Sequence, residues 1–117
     1  MTTQLPALAE SYIQATNNHD NTAFLRLFAG DCVVDDNGRV LRGLEAIRAW
    51  SDKEIFAAQV TLEVLEAVVN DDESVITTKV DGTFDRTGLP DPVIIRHQIV
   101  ARDGKIAALT CRLAASR

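Results

Sequence analysis

A carboxylate, a phenol and an imidazole suffice for proton transfer at a carbon acid, and this sequence offers one candidate of each. Asp36 lies in Cys32-Val33-Val34-Asp35-Asp36-Asn37-Gly38, where an apolar run meets a turn. Desolvation makes a carboxylate that faces an apolar cavity a better base. The competing reading is a plain hairpin turn in which Asp36, Asn37 and Gly38 satisfy one another's backbone. Tyr12, the single tyrosine, stands on an apolar helical stripe. A phenol there can aim its O–H into a pocket and stabilise a developing enolate, or it can be a core tyrosine bonded to a carbonyl. His97 is one of two histidines. Strand alternation puts it on one face with Ile95 and Ile99, and Arg96 and Gln98 on the other. An inward histidine must be neutral or hydrogen-bonded. It can donate to an oxyanion, pair with Asp36 to activate water, or simply be a satisfied core residue. His19, in a polar turn, is expected to be solvated.

These side chains need elements to hold them. Leu5, Leu8, Ala9, Tyr12 and Ile13 share a helical stripe with Pro6 in its first turn. Asp20 or Asn21 caps a second helix with Phe24, Leu27 and Phe28 inward and Gly30 as its stop. Cys32 to Asp35 reads as a strand, Asp36-Asn37-Gly38 as a turn, and Arg39 to Arg42 as the returning strand. Gly43 opens a third helix carrying Leu44, Ile47 and Trp50, with Glu45 suited to its first turn. Strands are expected over Gln59 to Val69, Ser74 to Phe84, Val93 to Ala101 and Ile106 to Leu113. Arg86 to Pro92 is a loop, and Ala114 to Arg117 a frayed tail. Helices followed by long strands give an α+β class in one domain. The candidate pocket walls are Phe24, Phe28, Trp50, Phe56 and Phe84. Arg96 and Gln98, beside Ile94 and Val100, suggest a half-polar protein interface. Arg112 faces either a ligand carboxylate or solvent. Strands apolar on both faces suggest a homodimer through the outer sheet face.

At 117 residues the chain is long enough for a core without staples. A net charge of −5 and a pI near 4.9 argue against nucleic-acid and anionic-membrane partners. Cys32 and Cys111, in apolar runs, are expected as buried thiols. There is no CxxC, no paired histidine spacing and no cofactor motif, so neither metal nor cofactor is expected. No apolar run approaches the ~20 residues that span a bilayer. Met1-Thr2-Thr3-Gln4 has no signal-peptide character, so a cytoplasmic location is expected.

The chain resembles the nuclear transport factor 2-like superfamily, and within it the polyketide cyclase (SnoaL-like) and ketosteroid isomerase branch. The resemblance rests on Ser11-Tyr12-Ile13, His19-Asp20-Asn21, Phe28-Ala29-Gly30-Asp31, Val34-Asp35-Asp36, Gly43-Leu44-Glu45-Ala46-Ile47 and Ala101-Arg102-Asp103-Gly104-Lys105-Ile106. It implies a cone of curved antiparallel sheet wrapped around N-terminal helices. It further implies a cofactor-independent isomerase or cyclase acting on a small apolar carbonyl compound. Tyr12 matches the isomerases' oxyanion-hole tyrosine and Asp36 their general base. His97 falls where they keep a protonated aspartic acid. The chain departs from them there, and again at Asn37, where proline is frequent. The superfold also hosts dehydratases, hydrolases and non-catalytic binders.

Overall fold

The computed structural model describes residues 5–85 and 87–114. Helix α1 spans Ala7–Asn17 and α2 spans Asn21–Arg26. Strands β1 (Phe28–Asp36) and β2 (Arg39–Arg42) follow, then α3 (Leu44–Ser51), which widens into a π-helical turn at Asp52–Phe56. Four long strands complete the chain: β3 (Thr61–Asn70), β4 (Glu73–Asp81), β5 (Val93–Arg102) and β6 (Lys105–Leu113). With β1 and β2 these form one six-stranded sheet, ordered β2-β1-β6-β5-β4-β3. The α+β class and the curved open sheet with N-terminal helices are as expected.

Several boundaries differ from the pattern reading, each for a local reason. Phe28 opens β1 instead of closing α2. The Ile106 amide donates to the Leu27 carbonyl at 2.7 Å, drawing the chain into register with β6. Gly30 is therefore inside a strand and stops no helix. Asp36 is the last residue of β1, so it obeys strand alternation, and the turn proper is Asn37-Gly38. Asn37 sits at φ +50° and its amide donates to the Cys111 carbonyl. Proline can do neither, which accounts for asparagine here. The β1–β6 pairing is parallel, a feature alternation could not reveal. Strand β4 stops at Asp81 instead of running to Phe84. A Cβ on Gly82 would lie 2.7 Å from the Ala58 carbonyl oxygen. Only glycine lets the chain pass that close, and the Thr83 amide and hydroxyl both donate to the same oxygen. Arg86 and residues 115–117, parts of the expected loop and tail, lie outside the described residues.

Asp20 caps α2 by accepting from the Ala23 amide at 3.1 Å. The core lies between the helices and the inner sheet face, where Ile76, Val34, Leu109 and Ile106 are fully buried. Its hub is Phe24 of α2, whose ring centroid lies 5.6 Å from Tyr12, 5.1 Å from Phe28 and 5.4 Å from Phe56. Cys32 and Cys111 are both free and buried. Among the described residues, no helix is long and apolar enough to cross a membrane. Truncating the hub, Phe24→Ala, should cost about 3–5 kcal/mol in urea unfolding, since three rings lose a common neighbour.

Candidate functional site

Inner-face positions of the sheet and one face of α1 meet at a cavity of about 310 Å³. Tyr12, Asp36, Trp50, Phe84 and His97 all line it. Val60, Leu62, Val80, Val93 and Ile95 supply apolar wall, while Glu54 and Asp85 add carboxylates. Three aromatic residues named from sequence are not among its walls. Phe24, Phe28 and Phe56 form the ring stack behind Tyr12, because α2 is short and turns its one buried face into the core. Phe28 instead borders a second groove beside Arg26, Arg48 and Lys105.

Strand phase assigns the adjacent aspartates opposite tasks. Asp35 points to the outer face, where the Arg112 guanidinium donates to both its oxygens at 2.9 Å. That bond, then the Gly38 amide, holds the Asp35 carboxyl down at about 2. Arg112 thus meets a carboxylate of the protein itself, outside the cavity. Asp36 points inward, and the Trp50 indole Nε1–H donates to its Oδ2 at 2.9 Å. Trp50, expected as apolar wall, is also the group that fixes the carboxylate. Asn37 steadies the same strand end by accepting from the Leu113 amide at 2.8 Å.

His97 is inward, as its phase requires, and only 4% exposed. Its Nδ1 lies 2.9 Å from the Tyr12 hydroxyl and its Nε2 lies 3.0 Å from Thr78 Oγ1. Both ring nitrogens are thereby engaged, neither of them by Asp36. The Asp36–His97 pair considered from sequence is not formed, because Trp50 and Tyr12 hold the two residues separately. Burial pushes the His97 pKa down from 6.5 to about 4, so the ring is neutral at pH 7. Burial, then the neighbouring Cys111 and Asp36, pushes the Tyr12 phenol well above its ordinary 10.0. Cys111 is pushed up to about 12, also chiefly by burial, and stays a thiol. His19 is exposed as expected, although its Nε2 lies 3.1 Å from the Val60 carbonyl. Thr78 escaped the sequence reading. Its signal was there in principle, a hydroxyl in phase with Ser74, Ile76 and Val80 on a buried strand face.

Residues 9–109 match the SnoaL-like domain family. The chain belongs to that family. A Sinorhizobium meliloti protein, provisionally assigned as a polyketide cyclase, is 32% identical with a TM-score of 0.82, over 92% of this chain and 95% of that one. A Catenulispora acidiphila protein of ketosteroid isomerase-like fold, solved in complex with trimethylamine, is 22% identical with a TM-score of 0.79, over 97% of this chain and 89% of that one. A Mycobacterium tuberculosis protein in complex with estradiol-17beta-hemisuccinate is 24% identical with a TM-score of 0.76, over 89% and 88%. At those two identities the likeness is one of fold. No protein of the curated set matches the chain.

The His97 shift has a sign that can be measured. The unfolded chain takes up this proton near pH 6.5, the folded one only near pH 4. Between those values the unfolded state holds more protons, so stability falls as pH drops. The loss should approach 3 kcal/mol, at about 1.4 kcal/mol per pH unit. Urea unfolding of wild type and His97→Gln at pH 7.5 and 4.5 should show a steeper acid loss in wild type, the carboxylate contributions being common to both.

Proposed function

We propose that this SnoaL-like domain is a cofactor-independent, cytoplasmic proton-transfer enzyme, isomerase- or cyclase-like, acting on a small apolar carbonyl compound. The observation that supports this best is the convergence of Asp36, Tyr12 and His97 on one largely apolar cavity. In this reading Asp36 is the general base. Trp50 holds one of its oxygens, leaving the other to take a proton from the carbon alpha to the carbonyl. Tyr12 donates to the oxygen on which charge develops, in a site whose walls are largely apolar. The high pKa of its phenol keeps it a hydrogen donor throughout. His97 backs Tyr12 and does not meet the ligand oxygen itself, since both its nitrogens are engaged. A cavity of about 310 Å³ lies at the small end of the range for ligand pockets, suited to one or two fused rings.

A second reading is a non-catalytic binding domain. It is favoured by the two ligand complexes among the structural neighbours, one with trimethylamine and one with an estradiol ester. We also propose a second copy of the chain as partner of the outer sheet face. Val68 is 51% exposed there, and the register sets it beside Val75 on that face. Light scattering at micromolar concentration should give a dimer mass, and a monomer would remove the proposal.

The catalytic reading is tested with a bicyclic ketone such as 2-tetralone in deuterated buffer. Wild type should speed exchange of the alpha proton above the buffer rate, followed by NMR. Asp36→Asn should lower that rate on the order of 10²–10⁴-fold with the fold intact, and Tyr12→Phe by a similar order. If wild type binds the ketone yet never exceeds the buffer rate, the binding reading replaces the enzyme.

A further inference from the structure

Thr78 is completely buried in β4, yet it borders His97 and not the cavity. Its hydroxyl carries one hydrogen. Two groups lie within reach: the Ile95 carbonyl at 3.2 Å and His97 Nε2 at 3.0 Å. The Ile95 carbonyl can only accept, whereas His97 Nε2 can donate or accept, so a Thr78 hydrogen directed at Ile95 lets both contacts be hydrogen bonds at once. In that arrangement the Thr78 oxygen offers a lone pair to Nε2, which carries the ring hydrogen of neutral His97. Nδ1 is left bare. The groups around it agree with that, since Tyr12 Oη at 2.9 Å and Cys111 Sγ at 3.8 Å both carry hydrogens. The chain of donation therefore runs from Tyr12 to His97 to Thr78 to the Ile95 carbonyl. With the hydrogens so arranged, that of Tyr12 is directed at His97 Nδ1.

We infer that Thr78 is a positioning residue: by fixing the His97 tautomer it turns the Tyr12 hydroxyl hydrogen away from the cavity until a charged ligand oxygen draws it out. This rests on the proposed role of Tyr12 and adds a cause for selectivity. A neutral carbonyl must compete with Nδ1 for the hydrogen and gains little. An enolate oxygen makes a charge-assisted bond roughly twice as strong and wins it. Cys111 Sγ, with its hydrogen, stands 3.8 Å from Nδ1 and faces that nitrogen when the Tyr12 hydrogen turns to the ligand. The arrangement spends hydrogen bonding on the transition state and withholds it from the ground state.

The test is ¹⁵N NMR of the imidazoles, of which there are only two, with His19 as internal reference. Wild-type His97 should show a protonated Nε2 and a bare Nδ1. Thr78→Val removes the acceptor, so the ring should switch to the Nδ1–H form, and Thr78→Ser should restore the wild-type pattern. Freed from Nδ1, the Tyr12 hydrogen should then let Thr78→Val bind 2-tetralone several-fold more tightly than wild type. Any turnover should show a lower KM without a matching rise in kcat. A protonated Nδ1 in wild type would overturn the inference even if the valine variant failed to fold, and so would a valine variant that keeps Nε2–H. If the NMR and binding results hold while no variant turns the ketone over, the enzyme reading fails and the assignment of Thr78 stands.

Discussion

A neutral imidazole in the middle of a sheet must be given one donor and one acceptor, because nothing else nearby can replace water. His97 draws one partner from a helix and the other from the neighbouring strand. That requirement couples the helical layer to the sheet more specifically than apolar packing can. Helix α1 cannot slide without pulling Tyr12 from Nδ1, and its ring is wedged in turn by Phe24, itself held by Phe28 and Phe56. The aromatic stack is thus the support on which the phenol's position depends. Its members serve the cavity without touching it.

The two adjacent aspartates show how one period-two rule divides labour. Asp35 is drawn outward into a bidentate pair with Arg112 and is an ordinary surface ion-pair member. Asp36, one residue on, faces the cavity because β1 extends through it. An indole then takes one of its oxygens. Had the strand ended at Asp35, Asp36 would have belonged to the turn and its carboxylate to the backbone. The parallel pairing with β6, continued by the Asn37 amide on the Cys111 carbonyl, is what carries the strand that far.

Much of this was legible in the sequence. The phase of His97 followed from its neighbours Ile95 and Ile99, and the helical face of Tyr12 from its spacing to Leu8 and Ala9. What was not legible depended on contacts distant in sequence. The boundary between α2 and β1 is set by Leu27 and Ile106, 79 residues apart, so the local pattern wrongly kept Phe28 on the helix. The aromatic residues were recognisable as buried, but which ones faced the void depended on how short α2 is. The partners of His97 lie 85 residues away on α1 and 19 residues away on the neighbouring β4, and periodicity carries no information about which buried hydroxyl meets which nitrogen.

The turn at Asp52–Phe56 is wider than an α-helical one. The Ala57 amide reaches five residues back to the Asp52 carbonyl, one more than an α-helix allows. Such a turn holds a residue beyond the helical count. It also marks a division of inheritance within one helix. Upstream, Trp50 is bound to the carboxylate and its angular position is fixed. Downstream, Ile55 forms cavity wall and Phe56 packs on Phe24. In an ordinary helix Ile55, five residues on from Trp50, would stand about 140° round the axis, and the widened turn brings it back to the same side. One surplus residue therefore lets the indole and the apolar wall look inward from a single continuous segment.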